Sequence, residues 1–158
     1  MIHPILKLGD EALYKVSEAV VQDEVPALLK TVRDLHDTLL DFREGNGAGR
    51  AIAAPQIGVP KRLIYVLIDK PIILFNPSLR FPDDEMMTVL DDCMSFPHLL
   101  VRVRRYRRCV VTYYDETWQT HTWALEGALS ELIQHEYDHL DGILATMRAV
   151  DSKAFVER

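Results

Sequence analysis

Two cysteines, Cys93 and Cys109, are all that the 158 residues contain. That is too few for the disulfide framework that braces small secreted domains. No apolar run approaches the roughly 20 residues a membrane span requires, so no membrane partner is expected. The opening MIHPILKLGD has no basic flank, no long apolar stretch and no small-residue cleavage site. Without those marks of export, the cytoplasm is the expected location. Basic charge is also short: 18 Lys and Arg against 24 Asp and Glu leave a formal net charge of −6. Proteins that bind DNA or RNA generally present a basic face, and this balance argues against one, DNA above all. Internal repeats, low-complexity tracts and Pro/Gly-rich linkers are absent too. Residues 1–158 therefore read as one domain, long enough to bury a core.

One stretch departs from the acidic balance. RVRRYRRC, residues 102–109, holds five arginines. A charge run of this kind is usually the solvated outer face of a strand. The alternative is a local dock for an anionic partner, ribosomal RNA being the candidate. The sequence sets no oligomeric state.

What is present is patterned. From Asp23 to Phe42, Val25, Leu28, Leu29, Val32, Leu35, Leu39 and Leu40 recur at helical spacing, with Asp23 as a plausible N-cap and Pro26 tolerated in the first turn. REGNGAG (43–49) reads as a loop from its glycines and asparagine. β-Branched and aromatic runs follow at 62–68, 72–76, 86–90, 109–114 and 117–123, separated by Pro, Asp and Gly. Residues 124–140 return to helical periodicity, and Gly142 suits the position just past a helix C-terminus. Strands flanked by helices, without regular βαβ alternation, predict an α+β fold.

QHEYDHLDG (134–142) carries the chemistry. His135 and His139, four apart, are neighbours on one helical face. Glu136, about 100° around from His135, can reach a water on a metal held by both rings. This H-E-x-x-H pattern is a metal-hydrolase signature. A hydrolytic metal usually takes three protein ligands and keeps one position open. Only 16 residues follow Gly142, and their carboxylates Asp151 and Glu157 have no helical context for a third ligand. Cys93, in DDCMSFP, is the better candidate, since a thiolate binds Zn²⁺ or Fe²⁺ strongly and no core pattern explains this cysteine. Cys109, inside the apolar run CVVTYY, reads instead as a small core residue. Gln56, in AAPQIG, could donate to a developing oxyanion, although in isolation it reads as part of an ordinary turn. Asp138 could buttress a ligand histidine or simply face solvent.

Three stretches taken together, GRAIAAPQIG (49–58), DDCMSFP (91–97) and QHEYDHLDG, resemble in this order the three motifs of peptide deformylases. Those enzymes remove the formyl group from the N-terminal formylmethionine of nascent polypeptides. ILKLGDEAL, ILFNPSL and RRYRRCVV also resemble family counterparts, so the likeness covers nearly the whole chain. It implies antiparallel sheets packed around a central helix that carries the H-E-x-x-H residues. It implies Cys93, His135 and His139 as ligands of one divalent metal, typically Fe²⁺ and replaceable by Zn²⁺, Ni²⁺ or Co²⁺. It also implies Glu136 as general acid/base on a metal-activated water, with Gln56 and the backbone N–H of Met94 stabilising the tetrahedral intermediate. Substrate contacts are expected at Gly49, Ala51, Ile52, Asp92, Leu100, Glu131 and Leu132.

The departures from the family pattern concern substrate choice. Ala51 stands where family members have a second glycine, and Asp91-Asp92 replaces the usual Glu-Gly before the cysteine. Leu100 stands where some deformylases carry a substrate-contacting arginine. Glu131, one turn before His135, replaces the Ile or Arg found near the methionine pocket in many members. Asp92 and Glu131 allow two readings: an unusually acidic pocket for the first side chain, or two carboxylates that point to solvent in an ordinary deformylase. Three further readings accompany the leading one: a paralogue with altered preference or little activity, a small H-E-x-x-H metallopeptidase, and a non-catalytic binder that kept its metal for stability.

Overall fold

β2 (Leu63–Leu67) explains the layering of the molecule. Its side chains alternate between two apolar clusters, Leu63 and Tyr65 into one, Ile64 and Val66 into the other. Successive strand residues point to opposite faces, so a strand that is apolar at every position is buried on both sides. A helix covers each side. The structure, a computed structural model, describes residues 1–158.

Five strands form the larger sheet, in the order β1 (Ala51–Ala53), β2, β3 (Pro71–Arg80), β6 (Arg108–Tyr114) and β7 (Thr120–Glu126). The smaller sheet has the order β4 (Met86–Asp91), β5 (Leu99–Tyr106) and β8 (Phe155–Glu157). All strand pairs within the two sheets are antiparallel. Helix α1 (Val25–Asn46) packs Leu28, Val32, Leu35 and Leu39 onto one face of the larger sheet, against Ile52, Tyr65 and Phe75. Helix α2 (Ala128–Leu140) packs Leu132, Ile133 and Leu140 onto the opposite face. α2 also touches β5, so it lies between the two sheets, as the α+β expectation requires. No helix is long and apolar enough to cross a membrane.

Several boundaries differ from the sequence reading. α1 starts after a 3₁₀ turn at Gln22–Glu24, and its N-cap is Glu24 rather than Asp23. The helix also runs through the expected loop to Asn46. Arg43 holds this last turn by donating from Nε to the Gly49 carbonyl at 2.9 Å, and Gly47, with φ 71°, makes the left-handed stop. β3 continues past Asn76 through a bulge between Phe75 and Ser78. Asn76 takes a φ of 49° there, and its amide bonds both the N–H and the C=O of Val20, at 2.8 and 2.7 Å. Residues 124–126 stay in β7 because Leu125 pairs with Cys109 and is buried, which delays α2 to Ala128.

The arginine run is split between sheets. Arg102, Arg104 and Arg105 lie on β5, Arg108 begins β6, and Arg107 sits at the corner. Arg107 pairs with Glu85, and Arg108 with Asp83, Glu85 and Glu126. Arg105 is buried, whereas Arg104 faces solvent.

Gly142 follows α2 with a φ of 73°. A Cβ there would overlap the backbone carbonyl of Tyr14, in the 3₁₀ turn Glu11–Tyr14. The N-terminal segment packed here continues to the site: Leu8 donates to the Ser95 carbonyl and Leu6 to the Gln56 carbonyl, each at 2.9 Å.

Candidate metal centre and cleft

α2 supplies His135, Glu136 and His139 from one buried stretch. Cys93 comes from the turn after β4, and Gln56 from the 3₁₀ turn Ala54–Ile57 that follows β1. The candidate ligand atoms of Cys93, His135 and His139 lie within 4.8 Å of one another, and all three residues are buried. Cys93 Sγ is 3.4 Å from His139 Nε2. Two ligands of one tetrahedral metal, with bonds of about 2.3 Å to sulfur and 2.0 Å to nitrogen, stand about 3.5 Å apart. One thiolate and two imidazoles form a set suited to Zn²⁺ or Fe²⁺, so the residues fit a metal of that kind.

Asp91 orients the first histidine. Its Oδ2 accepts from His135 Nδ1 at 2.9 Å and from Arg105 at 2.9 Å. The Asp91 bond uses one ring nitrogen and leaves Nε2 for a metal, the arrangement that fixes tautomer and ring plane in metal sites. Arg105 donates onward to Asp138 at 2.6 Å, and Asp138 receives two further bonds from Arg148 at 2.6 and 2.9 Å. Asp138 therefore neither buttresses a histidine nor faces solvent; it closes a buried chain of alternating charges. Burial opposes the Asp91 carboxylate, but the His135 and Arg105 charges outweigh burial and hold its pKa below the usual range.

The other ionisable groups are set by depth. Burial pushes the Glu136 carboxyl up to about 7, with the His135 charge opposing. Burial, reinforced by the charge on His135, holds His139 well below the ordinary imidazole range. Burial disfavours charge on His135 as well, but Asp91 and Cys93 reverse that balance and raise it. Glu136 Oε1 and His139 Nδ1 are buried without a partner in the chain. Orphaned polar atoms of this kind are rare in interiors and mark places where something else is bound.

A cleft opens onto this centre. Gln56, Met94, Cys93, His135 and Glu136 line its inner end. Gln56 is fixed through Oε1, which accepts from the Ala53 N–H at 2.9 Å. Its amide nitrogen lies 3.2 Å from Ser95 Oγ and 3.7 Å from Cys93 Sγ. The Met94 N–H donates to no group of the chain. Gly49, Ala51, Asp92, Glu131 and Leu132, all expected at the substrate, also line the cleft.

Two expected contacts lie elsewhere. Ile52 points away from the cleft into the core beside Leu39 and Tyr65, because strand alternation turns it opposite to Ala51. Leu100 sits on β5 opposite Val156 of β8 and does not reach the cleft. The acidic reading of the pocket is also revised, because both carboxylates carry guanidinium partners. Arg50 donates to Glu131 at 2.9 Å, and Arg158 donates to Asp92 at 2.8 Å; both arginines line the cleft.

Sequence reasoning singled out Asp91 only as a departure bearing on substrate choice, not as a partner of His135, and missed Arg105, Arg50 and Arg158 as parts of the site. Arg105 left a trace: Val101, Val103 and Arg105 share one face of β5 at strand spacing, and all three are buried. Arg50 and Arg158 left none, since their partners lie 81 and 66 residues away.

Comparison with known proteins gives a consistent result. The family described as polypeptide deformylase matches residues 2–155. Peptide deformylase 2 of Ralstonia nicotianae is 36% identical over 166 residues, covering 98% of this chain and 91% of that protein. The peptide deformylase of Treponema pallidum is 37% identical over 150 residues, covering 92% and 86%. Among solved structures, the peptide deformylase of Thermotoga maritima superposes with a TM-score of 0.86 at 29% identity, covering 96% of this chain and 99% of that one. An Acinetobacter baumannii class I type b deformylase with Met-Ala-Ser bound superposes with a TM-score of 0.85 at 26% identity, covering 94% and 98%.

Proposed function

The chain belongs to the polypeptide deformylase family, and from that premise we propose that it hydrolyses the N-terminal formyl group of nascent polypeptides with Glu136 as general acid/base. The convergence of Cys93, His135 and His139 beside an unpartnered Glu136 carries this reading. A divalent metal held by those three residues, Fe²⁺ by family likeness, supplies Lewis acidity to the attacking water and to the formyl carbonyl.

The chain's own groups do the rest. Glu136, buried and without a partner in the chain, takes a proton from the water. It then delivers the proton to the departing amine nitrogen as the C–N bond breaks, leaving formate and a free N-terminus. The Gln56 amide and the Met94 N–H donate to the carbonyl oxygen as it gains negative charge. Asp91 keeps His135 in one tautomer throughout. The substrate enters along the cleft beside Gly49 and Ala51, at the edge of the larger sheet. The Acinetobacter relative's complex with Met-Ala-Ser supports a deformylated peptide end as the product bound there.

Formate release from formyl-Met-Ala-Ser tests the reading, with protein prepared without oxygen and loaded with Fe²⁺ or Ni²⁺. Exclusion of oxygen protects both Fe²⁺ and the thiolate. Turnover is expected in the wild type, and Glu136→Ala should lower kcat roughly a thousandfold while metal content stays. Absence of formate from the loaded wild type overturns it. Cys93→Ala should release the metal; retention, together with cleavage of unformylated peptides, would instead indicate a metallopeptidase.

A further inference from the structure

The carbon that bears a formyl peptide's first side chain is bonded directly to the nitrogen that loses the formyl group. That side chain must therefore lie within a few ångströms of the metal centre. One helical turn, about 5.4 Å of rise, separates His135 from the cleft residues Glu131 and Leu132 on α2. Leu132 is the apolar surface expected for a methionine. Glu131 is not: it holds a carboxylate in the wall, its side chain only 15% exposed, bonded to the guanidinium of Arg50.

Neither partner is saturated. Glu131 uses one carboxylate oxygen, and the other makes no hydrogen bond within the chain. Arg50 has five N–H donors and spends one on Glu131. The wall thus presents an acceptor and a donor side by side, with no net charge between them. A primary carboxamide is the complement: its NH₂ donates to the carboxylate while its C=O accepts from the guanidinium. A lysine would gain Glu131 but meet Arg50, and a glutamate the reverse.

Resting on the deformylase reading, we propose that the Arg50–Glu131 pair reads the first side chain of the substrate and favours an uncharged polar group of methionine length, glutamine above its apolar isostere norleucine. A site built to hydrogen-bond a side chain rejects an analogue that lacks the bonding groups far more strongly than an apolar pocket rejects a polar isostere.

The test is the ratio of kcat/KM for formyl-Gln-Ala-Ser to that for formyl-norleucyl-Ala-Ser, in three metal-loaded proteins of verified melting temperature and metal content. In the wild type the ratio exceeds one. In the double variant Arg50→Val with Glu131→Ile it falls about tenfold or more. In the swapped variant Arg50→Glu with Glu131→Arg it is restored, because a carboxamide can turn over and satisfy the pair in either order; a purely structural ion pair would not give that restoration. Equal ratios in the wild type and the apolar double variant overturn the proposal. If the loaded wild type turns over no formyl peptide, the deformylase reading fails on its own, and the affinities of the tripeptides Gln-Ala-Ser and norleucyl-Ala-Ser, compared across the same proteins by calorimetry, decide this one.

Discussion

Asp91 and Asp92 are adjacent in sequence and belong to different regimes. Asp91 is buried at the inner end of the cleft, where His135 and Arg105 share its Oδ2. Asp92 stands at the outer end with its side chain 48% exposed, bonded to one half-exposed arginine. At the inner end a chain of buried charges runs from His135 through Asp91, Arg105 and Asp138 to Arg148, each bonded to the next, and Glu136 is left without a partner. At the outer end the charges come as isolated pairs, Arg50 with Glu131 and Arg158 with Asp92. Charges withdrawn from water are held only by close partners, so the inner end admits few alternatives. The Arg158–Asp92 pair, still in contact with water, can be exchanged at little cost, whereas Glu131, only 15% exposed, stands between the two regimes. On the proposed function the same division would separate chemistry from selectivity, with the reacting groups at the inner end and the Arg50–Glu131 pair selecting what reaches them.

Three substitutions would break or sharpen this contrast. The largest effect is expected from Arg105→Met, which leaves Asp91 and Asp138 short of a buried counter-charge. Breaking such a network by removing one member costs about 3 kcal/mol or more, measurable as a lowered urea midpoint. A loss below about 1 kcal/mol would mean the inner end is as tolerant as the rim. Asp91→Asn comes next. It keeps size and a hydrogen bond but not the charge that fixes His135, and metal affinity should fall about 10- to 100-fold in a chelator competition. Unaltered affinity would show that His135 needs no such orientation. The smallest effect belongs to Arg158→Ala, whose loss of one exposed ion pair should change stability by less than about 1 kcal/mol. A larger drop in thermal unfolding would place Arg158 with the inner network.

The two ends also differed in how far the sequence disclosed them. His135, Glu136 and His139 fall within five residues of one helix, so their spacing alone places them on one face. Cys93 was legible because nothing in the apolar pattern accounted for it, and Gln56 and Met94 through the motifs around them. The rim was not legible, because residues 50 and 131, or 92 and 158, meet only after the chain has folded. Asp138 misled for a related reason. Its place beside His139 suggested a histidine partner, whereas the helix turns it toward β5 and Arg105. Among the elements, β2, β4 and β6 follow local pattern closely, and α2 does so from Ala128 onward. β1 and β8 are three residues each, too short for any periodicity, and they exist through pairing with β2 and β5. The end of α1 shows tertiary contacts overriding composition, since Arg43 carries the helix through Gly45 to the next glycine.

Gly142 lies beyond the last histidine and touches none of the groups that react, yet a screen for lost deformylation should recover it among the null alleles. Any side chain there meets the Tyr14 carbonyl, and displacing that turn pulls on the strap whose Leu6 and Leu8 amides grip Gln56 and Ser95. A geneticist mapping such alleles onto the linear sequence would score them as ligand lesions, because position 142 ends the same nine-residue stretch as His139. The phenotype would arise on the opposite bank of the cleft, at a glutamine 86 positions earlier in the chain.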